Sequence, residues 1–209
     1  MEFDEGFIRP EQFGIRNREE CISLYTTLRI ICQRRKFENK DTYLAFLDLK
    51  KAYDSMPIYN VLMKIHHLGI RGECYNFIEN LYSSSKACVR VDGQLSESFI
   101  IKKGVLQGCP LSPILFNLFI NDIFNNCNKY GISIGKKRCC GGLFADDIVL
   151  YTPTRSQLKK LLKFASKWVR NNEIQFGINK CASLVVRWEV SKFLYNSNPT
   201  FLSFKSRVT

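Results

Sequence analysis

No zinc knuckle, disulfide framework, export signal or membrane span can be read in this sequence. Its nine cysteines include no Cys-x-x-Cys pair, and Cys139 and Cys140 are adjacent, so metal-ribbon spacing is missing. An odd number of cysteines without a signal peptide implies free thiols in a reducing compartment. The opening MEFDEGFIRPEQ has neither a basic n-region nor an apolar h-region. No apolar run reaches the roughly 18 residues that a membrane span needs. The only histidines, His66-His67, have no ligand partners at useful spacing and read as a helix surface. No internal repeat or low-complexity tract stands out. These absences leave a soluble intracellular globular protein as the expectation.

Acidic residues are scarce in one place only. Residues 1–60 hold ten Lys/Arg against ten Asp/Glu, and residues 61–149 hold ten against seven. Residues 150–209 hold eleven against two, so the net charge of +12 is concentrated in the last third. A basic flank beside a balanced region suits a polyanion, nucleic acid being the commonest; a merely solvated basic surface is the other reading.

With 45% hydrophobic and 13% aromatic residues, the chain can bury a core. Ile22, Tyr25, Leu28, Ile31 and Cys32 recur at helical spacing and predict an amphipathic helix over 19–35. The run YLAFLDL at 43–49 has the length of a buried strand. Helices are expected from Pro57 to about Gly69 and around 73–82. Asp92-Gly93, set between alternating runs at 86–101, signals a hairpin. Ser112 and Pro113 suit the N-cap and first position of a helix reaching about Asn126, apolar nearly all round and therefore buried. Two short strands flank a carboxylate pair in GGLFADDIVLY (141–151), Thr154 and Gln157 suggest a capping box for a helix over 155–170, and ASLVVRW (182–188) closes as a strand. This order predicts an α+β fold, helices backing one face of a mainly antiparallel sheet.

Asp48 lies inside an apolar strand, and Asp146-Asp147 sit between two of them. Carboxylates in such surroundings are costly unless paired, hydrogen-bonded or bound to metal, and neighbouring ones repel. A divalent cation removes both penalties, and oxygen-only ligation suits Mg²⁺, with Mn²⁺ as a substitute. If the strands are adjacent, two ions can be held, one lowering the pKa of an attacking hydroxyl and one neutralising a leaving pyrophosphate. Taken singly, each acid reads equally well as a strand end or solvated turn.

Three stretches resemble motifs A, B and C of reverse transcriptases: FLDLKKAYDSMP (46–57), GVLQGCPLSPILFNLFINDI (104–123) and LFADDIVLY (143–151), in the family's order. The Phe-Ala-Asp-Asp wording and the long Gln-Gly-Cys-Pro-Leu-Ser-Pro segment are similar to the non-LTR, LINE-like retrotransposon branch. The resemblance covers roughly residues 10–187. It implies a right-hand polymerase palm, with RNA template, DNA primer and deoxynucleotide as partners. Domain limits follow: partial fingers at 1–42, palm at 43–189 with a fingers-like hairpin at 86–101, and an unmatched tail at 190–209. Fingers motifs upstream and a primer grip and thumb downstream are expected of the family, so the chain reads as part of a longer enzyme.

Residue by residue, the resemblance makes Asp48, Asp146 and Asp147 the catalytic carboxylates and metal ligands, with the Leu49 carbonyl as a further ligand. Tyr53 falls where the family keeps an aromatic ring that rejects a 2′-hydroxyl; this branch more often has Phe there. Gln107 and Gly108 match positions that approach the incoming nucleotide and template, and Lys180 matches a lysine contacting the triphosphate as general acid to pyrophosphate. Gln12 and Arg16, in EQFGIR, resemble a Gln-x-Gly-Phe-Arg segment with Ile15 in place of Phe, read as structural or template-contacting. Lys136-Lys137-Arg138 reads as a hairpin tip near the nucleic acid, and the basic face at 159–170 as solvated. Two readings remain beside polymerisation: an inactive remnant binding nucleic acid through its basic surface, and an RNA-dependent RNA polymerase palm, against which Tyr53 argues.

Overall fold

The run YLAFL forms a strand at the centre of the computed structural model, which describes residues 7–15 and 20–188. Arg16 and the tail at 190–209 lie outside the described residues. Strand β1 (Thr42–Leu47) is flanked on one side by β10 (Ala182–Val186) and on the other by β9 (Asp147–Thr152), which pairs in turn with β8 (Gly141–Phe144). The order is β10-β1-β9-β8, antiparallel throughout.

Alternation along β1 and β9 sends side chains to two different cores. Ala45, Leu47, Ile148 and Leu150 enter the larger one, with α3 (Ile58–His67), α5 (Leu111–Ile120) and α6 (Arg155–Asn171) packed over them. Leu44, Val149 and Tyr151 face the other way and meet Ile31, Leu24 and Leu28 of α1 (Cys21–Phe37). Helices therefore back one face as the pattern indicates, and α1 additionally covers part of the opposite face. Between β1 and α3 lies the short helix α2 (Ala52–Ser55), and α4 (Gly72–Ser83) follows α3 and packs on it.

The Asp92-Gly93 hairpin forms, with φ of 49° and 83° at the two turn residues, the left-handed pair that a two-residue turn demands. Its strands are short: β3 (Arg90–Val91) pairs with β4 (Gln94–Leu95), and β2 (Lys86–Ala87) with β5 (Phe99–Ile100). A second small hairpin joins β6 (Ile132–Ile134) to β7 (Lys137–Cys139), with Gly135 and Lys136 at its tip.

Two expectations about α5 are corrected. The helix ends at Ile120, not near Asn126, and single turns carry the chain on: Ile123, Asn125 and Cys127 donate to carbonyls three residues back. The backbone of Asn121 stays right-handed (φ −54°, ψ −28°), so the chain tightens into three-residue turns, while its side-chain amide ties it to a distant segment, donating to Phe7 O at 2.8 Å and accepting from Arg9 N at 2.8 Å. Ser112 is not the N-cap either; it lies inside the first turn and donates to Leu106 O at 2.6 Å, while Pro110 holds the cap position. Thr154 caps α6 as expected, accepting from Gln157 N at 3.3 Å.

Lys64 ties three helices together. Its ammonium donates to Asp122 Oδ1 at 2.6 Å and Phe119 O at 2.7 Å, and stands 4.7 Å from the centres of both the Phe119 and Trp168 rings. Trp168 Nε1 donates to the same Asp122 oxygen at 2.8 Å. Burial lowers the Lys64 pKa and Asp122 opposes that shift. Among the described residues no helix is long and apolar enough to cross a membrane.

Candidate active site

The register of β1 against β9 pairs Leu47 with Ile148. One step further along, Asp48 stands opposite Asp147, and alternation puts both on the face of Leu44 and Val149. Asp146 precedes them in the two-residue turn between β8 and β9, where Ala145 takes a φ of 53°. The fold thus brings Asp48 to the same end of the sheet as Asp146 and Asp147, although 98 residues separate it from the first of them. A groove of about 370 Å³ opens there between α1 and the sheet, lined by Cys21, Tyr25, Leu28, Phe46, Asp48, Asp147 and Lys180 among others.

Burial, then the charges of Asp146 and Asp48, raise the Asp147 pKa, and Lys180 works in the opposite direction. A raised folded-state pKa means that ionising Asp147 disfavours the fold: the stabilisation is present below the ordinary aspartate range and lost as pH rises through the raised value. In metal-free buffer, Asp147→Asn is therefore expected to melt progressively higher than the parent chain as pH climbs through that window. A thermal melt series from pH 3 to pH 8 checks it, and a constant difference across the series counts against the crowding.

Asp48 is gripped from its other side. Its carbonyl accepts from Gly177 N at 2.8 Å, and Lys50 N donates to Gln175 O at 2.8 Å, making the Leu49–Phe176 bridge. In such a pair the bridging residue's own N–H and C=O point away from the partner segment, so the Leu49 carbonyl faces away from Phe176. The turn Ile178–Lys180 then brings Lys180 Nζ to 3.3 Å from Asp48 Oδ1. Gly177 leaves room for the carboxylate: a Cβ there would stand 2.5 Å from Asp48 Oδ2 and push that oxygen aside.

Tyr53 stacks on Phe116 of α5, ring centres 4.7 Å apart, and burial together with the Asp146 charge raises its phenol pKa. Gln107 and Gly108 are exposed at the entry to α5. Gln107 Nε2 donates to Asp54 Oδ1 at 3.2 Å, and Gly108 has a φ of 81° that disfavours any side chain. Lys180 is exposed as well.

The donor set suits a hard divalent cation: carboxylate oxygens crowded enough to perturb one another. As placed, no three His, Cys, Asp or Glu side chains among the described residues converge on one point. The Lys180 ammonium supplies positive charge to Asp48 in that arrangement.

Residues 7–14 have a part that sequence patterns leave open. Phe13 N donates to Leu143 O and Leu143 N to Glu11 O, both at 2.8 Å, so the segment lies along β8. Gln12 is fully buried, and its Oε1 accepts from Gly14 N at 2.9 Å and Ala145 N at 3.2 Å. It braces the turn that carries Asp146, which favours the structural reading over template contact. Asn117 of α5, also fully buried, donates to Gly14 O at 2.7 Å.

An antiparallel sheet with two carboxylates at the tip of the β8–β9 hairpin, a third at the end of the neighbouring central strand, and helices behind it is the palm of a right-hand polymerase. The family model described as reverse transcriptase (RNA-dependent DNA polymerase) matches residues 3–205, and the chain belongs to that family. Its relatives are of the non-LTR kind. A Pol polyprotein of the R2DM retrotransposable element of Drosophila melanogaster is 27% identical over 179 residues, 85% of this chain and 17% of that protein. The RNA-directed DNA polymerase of the mobile element jockey of Drosophila funebris is 26% identical over 145 residues, 66% of this chain and 16% of that protein. The chain thus spans about a sixth of the length of these relatives. Among solved structures, an apo telomerase from Candida tropicalis truncated from its C-terminal domain superposes with a TM-score of 0.67 at 14% identity, over 92% of this chain and 38% of that one.

Proposed function

We propose that this chain is the palm, with part of the fingers, of an enzyme that extends a DNA primer on an RNA template, adding deoxynucleotides to the primer 3′-hydroxyl. The observation that carries the reading is the placement of Asp48 opposite Asp147 on neighbouring strands beside an open groove, with Asp146 in the adjoining turn. Palm limits of 43–189, with fingers residues at 1–42, accompany the proposal.

Asp48, Asp146, Asp147 and the Leu49 carbonyl would hold two Mg²⁺ ions, Asp48 exchanging the Lys180 ammonium for metal. When bound, the ions lower the pKa of the primer hydroxyl and neutralise the pyrophosphate. Lys180, released from Asp48, is left free to contact the triphosphate and protonate the leaving pyrophosphate. Tyr53, held by its stack on Phe116, closes the space beside the sugar 2′ carbon and rejects ribonucleotides. The Gln107-Gly108 turn lets backbone approach the incoming nucleotide.

The test is primer extension on an RNA template by a longer polypeptide that supplies the fingers and thumb. Mg²⁺-dependent incorporation of deoxynucleotides is expected, and Tyr53→Ala is expected to raise ribonucleotide use by about ten- to a hundredfold, the range a steric pocket discriminates. Nucleic-acid binding without any incorporation would assign the chain to an inactive remnant. Efficient ribonucleotide use by the parent would assign it to RNA synthesis.

A further inference from the structure

Helix α6 contains no acidic residue, and its side chains divide sharply. Leu158, Leu161, Ala165 and Val169 are buried, whereas Lys159, Lys160, Lys163 and Lys167 are exposed. Lys159, Lys163 and Lys167 follow one another every fourth residue, a row of like charges about 12 Å long. Such spacing destabilises an isolated helix, and Arg155 and Lys159 also oppose the helix dipole near its N-terminus. Among the described residues none of these cations forms an ion pair.

The fold extends this row with charges from elsewhere in the chain. The turn Asn128–Tyr130 packs against α6, and the Tyr130 ring is approached by two ammonium groups, Lys129 at 5.3 Å and Lys160 at 5.5 Å. Arg138 Nη1 donates to Lys129 O at 3.0 Å and fastens the β6–β7 hairpin, with its exposed Lys136–Arg138, to the same turn. A crevice of about 1150 Å³ opens beside them. Its acids, Glu11 and Asp122, are already engaged by Arg9 and Lys64.

We propose that the surface formed by α6, the Asn128–Tyr130 turn and the β6–β7 hairpin is a second nucleic-acid-binding surface, gripping the phosphodiester backbone without reading its bases. A straight row of point charges matches a linear polyanion, and lysines lack the fork geometry that selects a base edge. A membrane is a poorer fit, because a helix lying on lipid needs a free apolar face and that of α6 is buried in the core. This surface is distinct from the groove. Helix α6 backs the Ala45–Leu150 face of the sheet, whereas the hairpin packs through Ile132 and Cys139 on the Leu44–Tyr151 face, at the end of β9 remote from Asp147, on the order of 17 Å along the strand. Nucleic acid held here is a different stretch from any strand in the groove.

The experiment titrates the 209-residue chain with labelled single-stranded RNA and DNA of one sequence over a range of KCl concentrations. The triple variant K159E/K163E/K167E is expected to bind both at least tenfold more weakly, with the slope of log K against log salt shallower by about 2, three phosphate contacts being lost. The triple glutamine variant controls for folding: it should keep the parent melting temperature and show the same direction of change. Affinity and slope unchanged in both variants overturn the proposal, as does loss confined to RNA, which would mark sugar recognition. Tighter binding of polyglutamate or phosphatidylserine vesicles than of nucleic acid also overturns it. Primer extension plays no part in this readout, so binding here and polymerisation in the groove can fail separately.

Discussion

Asp146→Asn is expected to lower primer extension by the longer polypeptide at least about a hundredfold, more than the outer partners of a metal are usually worth. The substitution keeps the size of the side chain and its place in the β8–β9 turn, and removes one negative charge and one hard oxygen donor. Asp146 is half-exposed and makes no contact that the core needs, so the melting temperature should barely move. Metal linkage gives a second readout. Mg²⁺ that binds only the folded chain raises its stability with concentration, and the Asn variant should lose most of that rise. Extension at parental rates by Asp146→Asn would remove the carboxylate cluster from the mechanism.

Gly14→Ala tests how that cluster is held. A Cβ at residue 14 would stand 2.3 Å from Ala145 N, 3.1 Å from Phe144 C and 3.2 Å from Ala145 Cα. All three are backbone atoms of the turn beside Asp146, so no flexible side chain can swing aside. Overpacking of this kind costs about 1–3 kcal/mol, a fall in melting temperature of roughly 2–12 °C for a chain of this size. The turn must also shift, and a displacement near 1 Å in a reacting group can cost about a hundredfold in rate. Gln12→Ala removes the acceptor of the Ala145 N–H and should act in the same direction with less force. Parent-like melting and extension in Gly14→Ala would show that residues 7–14 do not brace the site.

Much of the site was legible because carboxylates inside apolar runs are locally anomalous. Asp48 in YLAFLDL and Asp146-Asp147 in LFADDIVLY stand out by neighbours alone, and period-two alternation gives their strands. The hairpin at 86–101 was legible for a similar reason, Asp92-Gly93 being a local conformational signal. What was not legible depends on partners far along the chain. Gln12, Asn117 and Asn121 are polar residues whose hydrogen bonds join backbone more than 100 positions away, and no periodicity announces them. The early end of α5 was not legible either, because apolar periodicity continues to Phe124 and does not separate an α-helix from the three-residue turns that follow Ile120. Coverage of the second sheet face by α1 was hidden because an amphipathic pattern does not say which surface it will meet. The Lys180–Asp48 ion pair was hidden too, since 132 residues separate the partners.

The bracing of the β8–β9 turn by residues 7–14 also orders events in time. During synthesis this segment emerges well before β8, and its acceptors and donors must remain hydrated until residue 145 has been made. Contacts of such long sequence separation are slow to form, because loop closure must precede any gain. The last piece of the molecule to lock should therefore be the turn bearing Asp146. Whatever core forms first around α3, α5 and β1 would be folded but not yet complete, its carboxylates set in place only after residues 7–14 have found the later ones.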